Sequence, residues 1–103
     1  MMDFSQGDMI TIDGFHKRIF LIVSNNTFIR STGFFHVCLI EKKLEEGPLH
    51  IPVIGRNHTA GIAVCEQIKL IDPGVRACRV VDHIPYGMNM DVSDAIQGMF
   101  EYD

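Results

Sequence analysis

The spacing of apolar and polar positions divides the chain into a series of short strand-like runs followed by one helical run. Met9-Ile10-Thr11-Ile12 is rich in residues that fit a pleated surface, and Asp13-Gly14 is a dipeptide that reverses a chain into a hairpin. Strands are therefore predicted over Met9–Asp13 and Arg18–Ser24. Asn25-Asn26 and Ser31-Thr32-Gly33 read as turn chemistry on either side of Thr27-Phe28-Ile29, and a third strand is predicted over Phe34–Ile40. Its imperfect alternation implies that both of its faces are covered.

Glu41 to Gly47 is a charged connection. A strand over Leu49–Val53 is assigned to a sheet edge, because Pro52 cannot donate to a ladder. The longest strand runs over Gly61–Ile71. Uniform alternation places Ile62, Val64, Glu66, Ile68 and Leu70 on one face and Ala63, Cys65, Gln67, Lys69 and Ile71 on the other. Glu66 interrupts an otherwise apolar face, which puts it either at the sheet margin or in a site where a carboxylate is used.

A last strand is predicted over Arg79–His83, after which Pro85-Tyr86-Gly87 breaks the chain. A helix is predicted from Asp91 to Tyr102, with Asp91 as its N-cap and Val92, Ala95, Ile96, Met99 and Phe100 as its apolar face. The fold class is mainly β with one C-terminal helix: a small antiparallel sheet curled into an SH3-like barrel, with the helix packed across it.

Composition narrows this picture. At 103 residues the chain is read as a single domain, 1–103, with one small core; 47% apolar and 21% charged residues without low-complexity tracts indicate a globular protein. The longest apolar stretch, Ile19 to Val23, is too short to cross a bilayer, and the start Met-Met-Asp-Phe-Ser-Gln lacks the features of a signal peptide. A cytoplasmic protein with no membrane partner is expected. Cys38, Cys65 and Cys78 are widely spaced within apolar sequence and read as small buried hydrophobes. Histidines at positions 16, 36, 50, 58 and 83 have no metal-ligand spacing, and no Gly-rich phosphate loop, zinc-protease pair or serine-hydrolase elbow occurs. No metal and no cofactor are implied. The formal net charge of −4 argues against nucleic-acid binding by bulk electrostatics, so any RNA contact has to be local.

Three segments change the functional picture when taken in order: Gly7-Asp8-Met9-Ile10-Thr11-Ile12-Asp13, the run from Arg18 to Phe28, and Ala60-Gly61-Ile62-Ala63-Val64-Cys65-Glu66-Gln67-Ile68-Lys69-Leu70-Ile71-Asp72. Together they resemble the MazF/PemK-like toxins, small ribonucleases of bacterial toxin–antitoxin pairs. The resemblance implies a CcdB/PemK-like fold and metal-independent cleavage of single-stranded RNA, in which a ribose 2′-hydroxyl attacks its own phosphate. The family's Arg at the head of the second strand matches Arg18, whose planar fork would stabilise charge developing on phosphoryl oxygens. Without the resemblance, Arg18 is a solvated strand-end cation.

The chain also departs from the family pattern. Ile19 stands where a Pro usually follows the Arg, the preceding loop is shortened to Gly14-Phe15-His16-Lys17, and Leu39-Ile40-Glu41 replaces Pro-Leu-Thr or Pro-Leu-Ser. In Val64-Cys65-Glu66-Gln67 the acid is kept and the base that flanks Cys in some relatives is lost. The resemblance thus gives Arg18, Glu41, Glu66 and His16 as candidate catalytic residues and Lys17, Gln67 and Asn25 as candidate substrate-binding residues. Glu41 is either a general base towards the 2′-hydroxyl, with His16 as acid, or a salt-bridge partner that silences Arg18. The implied partners are single-stranded RNA, a separate acidic antitoxin and a second copy in a homodimer, to which six Met and seven Phe in so short a chain also point. The alternative function is a catalytically inactive protein-binding module on the same fold, favoured by Glu41, Val64 and the net charge.

Overall fold

The structure is a computed structural model and describes residues 3–103. All six expected strands are present: β1 (Asp8–Ile12), β2 (Ile19–Ile22), β3 (Phe35–Glu41), β4 (His50–Ile54), β5 (Ala60–Ile71) and β6 (Cys78–His83). They form one antiparallel sheet in the order β4-β5-β3-β2-β1-β6, with the Pro52-bearing strand at an edge, as its missing N–H requires.

Two helices complete the chain, α1 (Asn26–Thr32) and α2 (Tyr86–Met99), and each corrects an expectation. The residues read as turn chemistry around Thr27-Phe28-Ile29 are helix caps. The Asn25 side chain accepts from the Phe28 N–H at 2.8 Å, and Gly33, left-handed at φ 76, donates its N–H to the Ile29 carbonyl. α2 begins five residues before Asp91, which lies inside the helix. Pro85 stands in the N-cap position with extended backbone, where a missing N–H costs nothing, so the residues read as a breaker are the helix start.

The sheet is covered on both faces, as the imperfect alternation of β3 implied. Cys38 and Ile40 join Met9, Leu21, Ala63, Cys65 and Val92 in a core on which Met88, Ala95 and Ile96 of α2 pack. Phe35, Val37 and Leu39 point the other way, into a core with Ile10, Phe20 and Ile22 that Phe4, Phe15 and Ile29 cover. Cys38 and Cys65 are buried as expected, whereas Cys78 is only half-buried.

Uniform alternation in β5 is overturned by a bulge. Cys38 pairs with Ile68 while the next residue, Leu39, pairs with Val64, so Cys65, Glu66 and Gln67 are extra on the β5 side. Residues paired across strands share a face. Val64 therefore faces with Lys69, which pairs with Val37, and Ile68 faces the opposite side. The inserted residues are odd in number, which is what reverses the face.

β4 and β6 share no ladder, so the sheet is curled and not closed by strand pairing. The loop after β4 joins the two edges. The Arg56 N–H donates to the His83 carbonyl at 3.0 Å, and the N–H groups of Asn57 and Thr59 each donate to the Asp82 carboxylate at 2.9 Å. The His83 N–H donates to the same carboxylate at 2.7 Å, and Gly55 lies so close that any β-carbon there would run into it. Burial pushes the Asp82 carboxyl upward, but the donors from Asn57, Thr59 and His83 together outweigh it and hold the group well below the usual carboxylate range.

Asp82→Ala leaves three backbone donors without their acceptor and is expected to destabilise the protein by about 3 kcal/mol or more. Because the folded-state pKa is depressed, this contribution is present above the unfolded value near about 4 and is lost as pH falls from there through the folded value. Urea denaturation at neutral pH and in acid reads both effects. A midpoint unchanged by the substitution would remove Asp82 from this role.

Candidate active site

Arg18 immediately precedes β2 and Glu41 ends β3. The register Ile19↔Ile40, continued one step outward, sets the two opposite each other with Arg18 Nη1 3.8 Å from Glu41 Oε1. The side chains are 55% and 43% exposed, so water screens the pair, and such surface pairs contribute only about 0–1 kcal/mol. The ion pair is loose enough for an incoming anion to displace it.

The pair lies in a cleft of about 810 Å³ also lined by His16, Lys17, Lys42 and Thr59. The short loop between β1 and β2 forms one wall. Phe15 anchors this loop, its ring meeting Phe20 edge-on at 5.4 Å between centroids. Arg76 fixes the loop from outside by donating from Nη1 to the Asp13 carbonyl at 3.2 Å. Lys17, the residue before Arg18, adopts left-handed backbone at φ 59, which costs roughly 1–2 kcal/mol for a residue with a β-carbon. Strain is thus held next to the residue that the fold presents to the cleft.

The β5 bulge determines what stands beside Arg18. Uniform alternation would put Gln67 and Lys69 on the face of Ala63, the partner of Ile40. With three residues inserted they turn to the face of Leu39 and line, with Arg18, Phe15, Phe20 and Leu39, an adjoining pocket of about 320 Å³. His16, Lys17, Arg18 and Glu41 are therefore gathered in one cleft, and Gln67 meets it through Arg18. Glu66 and Asn25 are placed elsewhere. Glu66 Oε2 lies 2.9 Å from His50 Nε2, a hydrogen bond that raises the pKa of His50 and lowers that of Glu66. Asn25 caps α1.

The net charge conceals a strong local asymmetry. Lys17, Arg18, Lys42, Lys69, Arg76 and Arg79, six of the nine cationic side chains, line this cleft and the pockets joined to it or stand over Phe15. The acids lining those pockets are Glu41 and Asp13. Phe15, Lys69, Arg76 and Arg79 were not singled out from the sequence. No local motif marks Lys69 or Arg76, because a bulge and a long-range loop contact bring them there, while the β1–β6 register sets Arg79 opposite Thr11. Among the described residues no three His, Cys, Asp or Glu side chains converge to hold a metal ion, and no helix is long and apolar enough to cross a membrane.

Residues 3–100 match the family described as PemK-like, MazF-like toxin of type II toxin–antitoxin system, and the chain belongs to that family. The fold is similar to MazF in the MazE–MazF complex (Form-I) from Deinococcus radiodurans, with a TM-score of 0.83 at 13% identity over 97% of this chain and 98% of that one. It is also similar to Deinococcus radiodurans MazF (Form-I), with a TM-score of 0.80 at 12% identity over 97% and 98% of the two chains. An endoribonuclease in complex with its cognate antitoxin from Mycobacterial species gives a TM-score of 0.80 at 15% identity over 98% and 100%. At these identities the likeness is one of fold. No curated protein sequence matches the chain.

Proposed function

We propose that this toxin-family protein is an endoribonuclease that cleaves single-stranded RNA by attack of a ribose 2′-hydroxyl on the adjacent phosphate. The loose Arg18–Glu41 pair in an open, cation-lined cleft supports this function above any other feature. Arg18 would bind the phosphate through a charge-assisted fork and stabilise the negative charge that builds on its non-bridging oxygens. Glu41, freed from Arg18 by the phosphate, takes the proton of the 2′-hydroxyl. The 2′-oxygen then bonds to phosphorus as the bond to the 5′-oxygen breaks, and protonated His16, lining the same cleft, gives the leaving oxygen its proton. The products are a 2′,3′-cyclic phosphate and a 5′-hydroxyl end. Because the guanidinium supplies the positive charge, no metal ion is needed.

The solved relatives that carry a MazE or cognate antitoxin chain motivate the partner: a small acidic protein that covers the cationic cleft of a homodimer. One observation favours a second reading, a catalytically silent binding module, namely that Glu41 is the residue facing Arg18. The test is incubation of the purified protein with end-labelled single-stranded RNA in the presence of a chelator. Cleavage leaving cyclic-phosphate and 5′-hydroxyl ends is the expected result. Intact RNA, or cleavage that requires an added divalent metal, would overturn the proposal, and intact RNA together with retained antitoxin binding would support the binding module.

A further inference from the structure

Beyond Arg18 the cationic face contains a second organised element. Lys69 Nζ stands 5.6 Å and Arg76 Cζ 5.2 Å from the centroid of the Phe15 ring. A cation over an aromatic ring gains from the ring quadrupole, so Phe15 holds each of the two beside the loop that leads into Arg18. Neither has a carboxylate oxygen within 4.0 Å among the described residues. Arg76 commits one N–H to the Asp13 carbonyl, and the remainder of its fork is free to donate. Lys69 lines the same pocket as Arg18, so the two sites are adjacent along one wall.

We infer that Lys69 and Arg76, organised over Phe15, form a second anion subsite that holds a backbone phosphate next to the one Arg18 holds, an inference that rests on the RNA-cleaving function proposed above. A nucleic-acid strand presents phosphates at a regular repeat, which suits two neighbouring cationic stations, one at the head of β2 and one where β5 and the turn after it meet Phe15. Between them lie the apolar walls of Phe20 and Leu39 and the amide of Gln67, surroundings that accept a nucleoside better than the carboxylates of an acidic peptide. The subsite positions the strand so that the scissile phosphate meets Arg18 in line, and Lys69 and Arg76 are thus positioning residues that take no part in proton transfer.

The test is binding of a non-cleavable 2′-deoxy oligonucleotide, followed by fluorescence anisotropy as KCl is raised from about 50 to 200 mM. For a single strand each phosphate contact contributes about −0.7 to the slope of log K against log salt. Lys69→Gln with Arg76→Gln should remove that one phosphate contact and lower the magnitude of the slope by about 0.7, and Lys69→Gln alone by part of it. Lys69→Gln isolates the subsite from loop structure, because Lys69 is not the residue that ties the loop, and thermal midpoints verify folding. A dinucleotide, with one phosphate, should bind wild type and the double variant alike, while a hexanucleotide should discriminate them. Arg76→Lys, which keeps the charge, should retain the slope.

A slope and affinity indifferent to both substitutions overturn the subsite. So does unchanged oligonucleotide binding accompanied by lost binding of polyglutamate, which would assign the patch to an acidic protein. If the oligonucleotide binds with the expected slopes but RNA is never cleaved, the subsite stands and the nuclease function falls. If RNA is cleaved with no contribution from Lys69 and Arg76, only the subsite falls.

Discussion

Arg18→Ala is expected to lower RNA cleavage by about a hundredfold or more while leaving the fold intact. Removing one preorganised donor to transition-state charge costs about a hundredfold to a thousandfold, or roughly 3–4 kcal/mol, in well-studied sites. The stability effect is far smaller, because the side chain is half-exposed and its pair with Glu41 is loose. Arg18→Lys keeps the charge without the fork and should fall between wild type and alanine. Initial rates on a single-stranded substrate, set beside thermal midpoints, separate the two effects. Cleavage that persists at the wild-type rate in a folded Arg18→Ala protein would mean that the phosphate is held elsewhere.

The second large effect is at Glu41. If Glu41 is the base, its replacement by threonine, the residue type common at this place in the family, is expected to lower the rate by about a hundredfold. The 3.8 Å separation makes this the expected direction, since an oxygen so far from the guanidinium is not tied to it and faces the cleft. A carboxylate also repels the phosphate, by about 1 kcal/mol at 4 Å in water and more where water is excluded. If that repulsion dominated, Glu41→Thr would raise cleavage, as well as growth inhibition when the protein is expressed. A rise would thus remove Glu41 as base while keeping Arg18 as the phosphate ligand.

The parts of the fold that were legible in the sequence are those written locally. Strand composition and turn residues placed all six strands, and Pro52 placed β4 at an edge. Short α1 was hidden because Asn, Ser, Thr and Gly serve turns and helix caps through the same hydrogen bonds, so Asn25 and Gly33 fit either. The start of α2 was hidden because proline both breaks a helix and opens one. At the site, Arg18, Glu41, His16 and Lys17 were found through family position. Lys69 and Arg76 depend on the β5 bulge and on a contact spanning 63 residues from Arg76 to Asp13, which no local spacing encodes. Nothing local marks Asp82, since its three donors come from elsewhere in the chain or from the very next backbone N–H.

The Asp82 seam also bears on how copies of this chain behave towards one another. An open sheet offers two rows of unpaired backbone groups, which template pairing with other chains. Here Arg56 occupies the His83 carbonyl at one edge and Pro52 removes a donor from the other, so both rows are interrupted where they would otherwise invite an intruding strand. A single buried carboxylate holds that arrangement in place. Acid strong enough to protonate it is therefore expected to do more than loosen one molecule: it should free the His83 edge, and copies of the chain should begin to collect by strand pairing, read as a rise in light scattering.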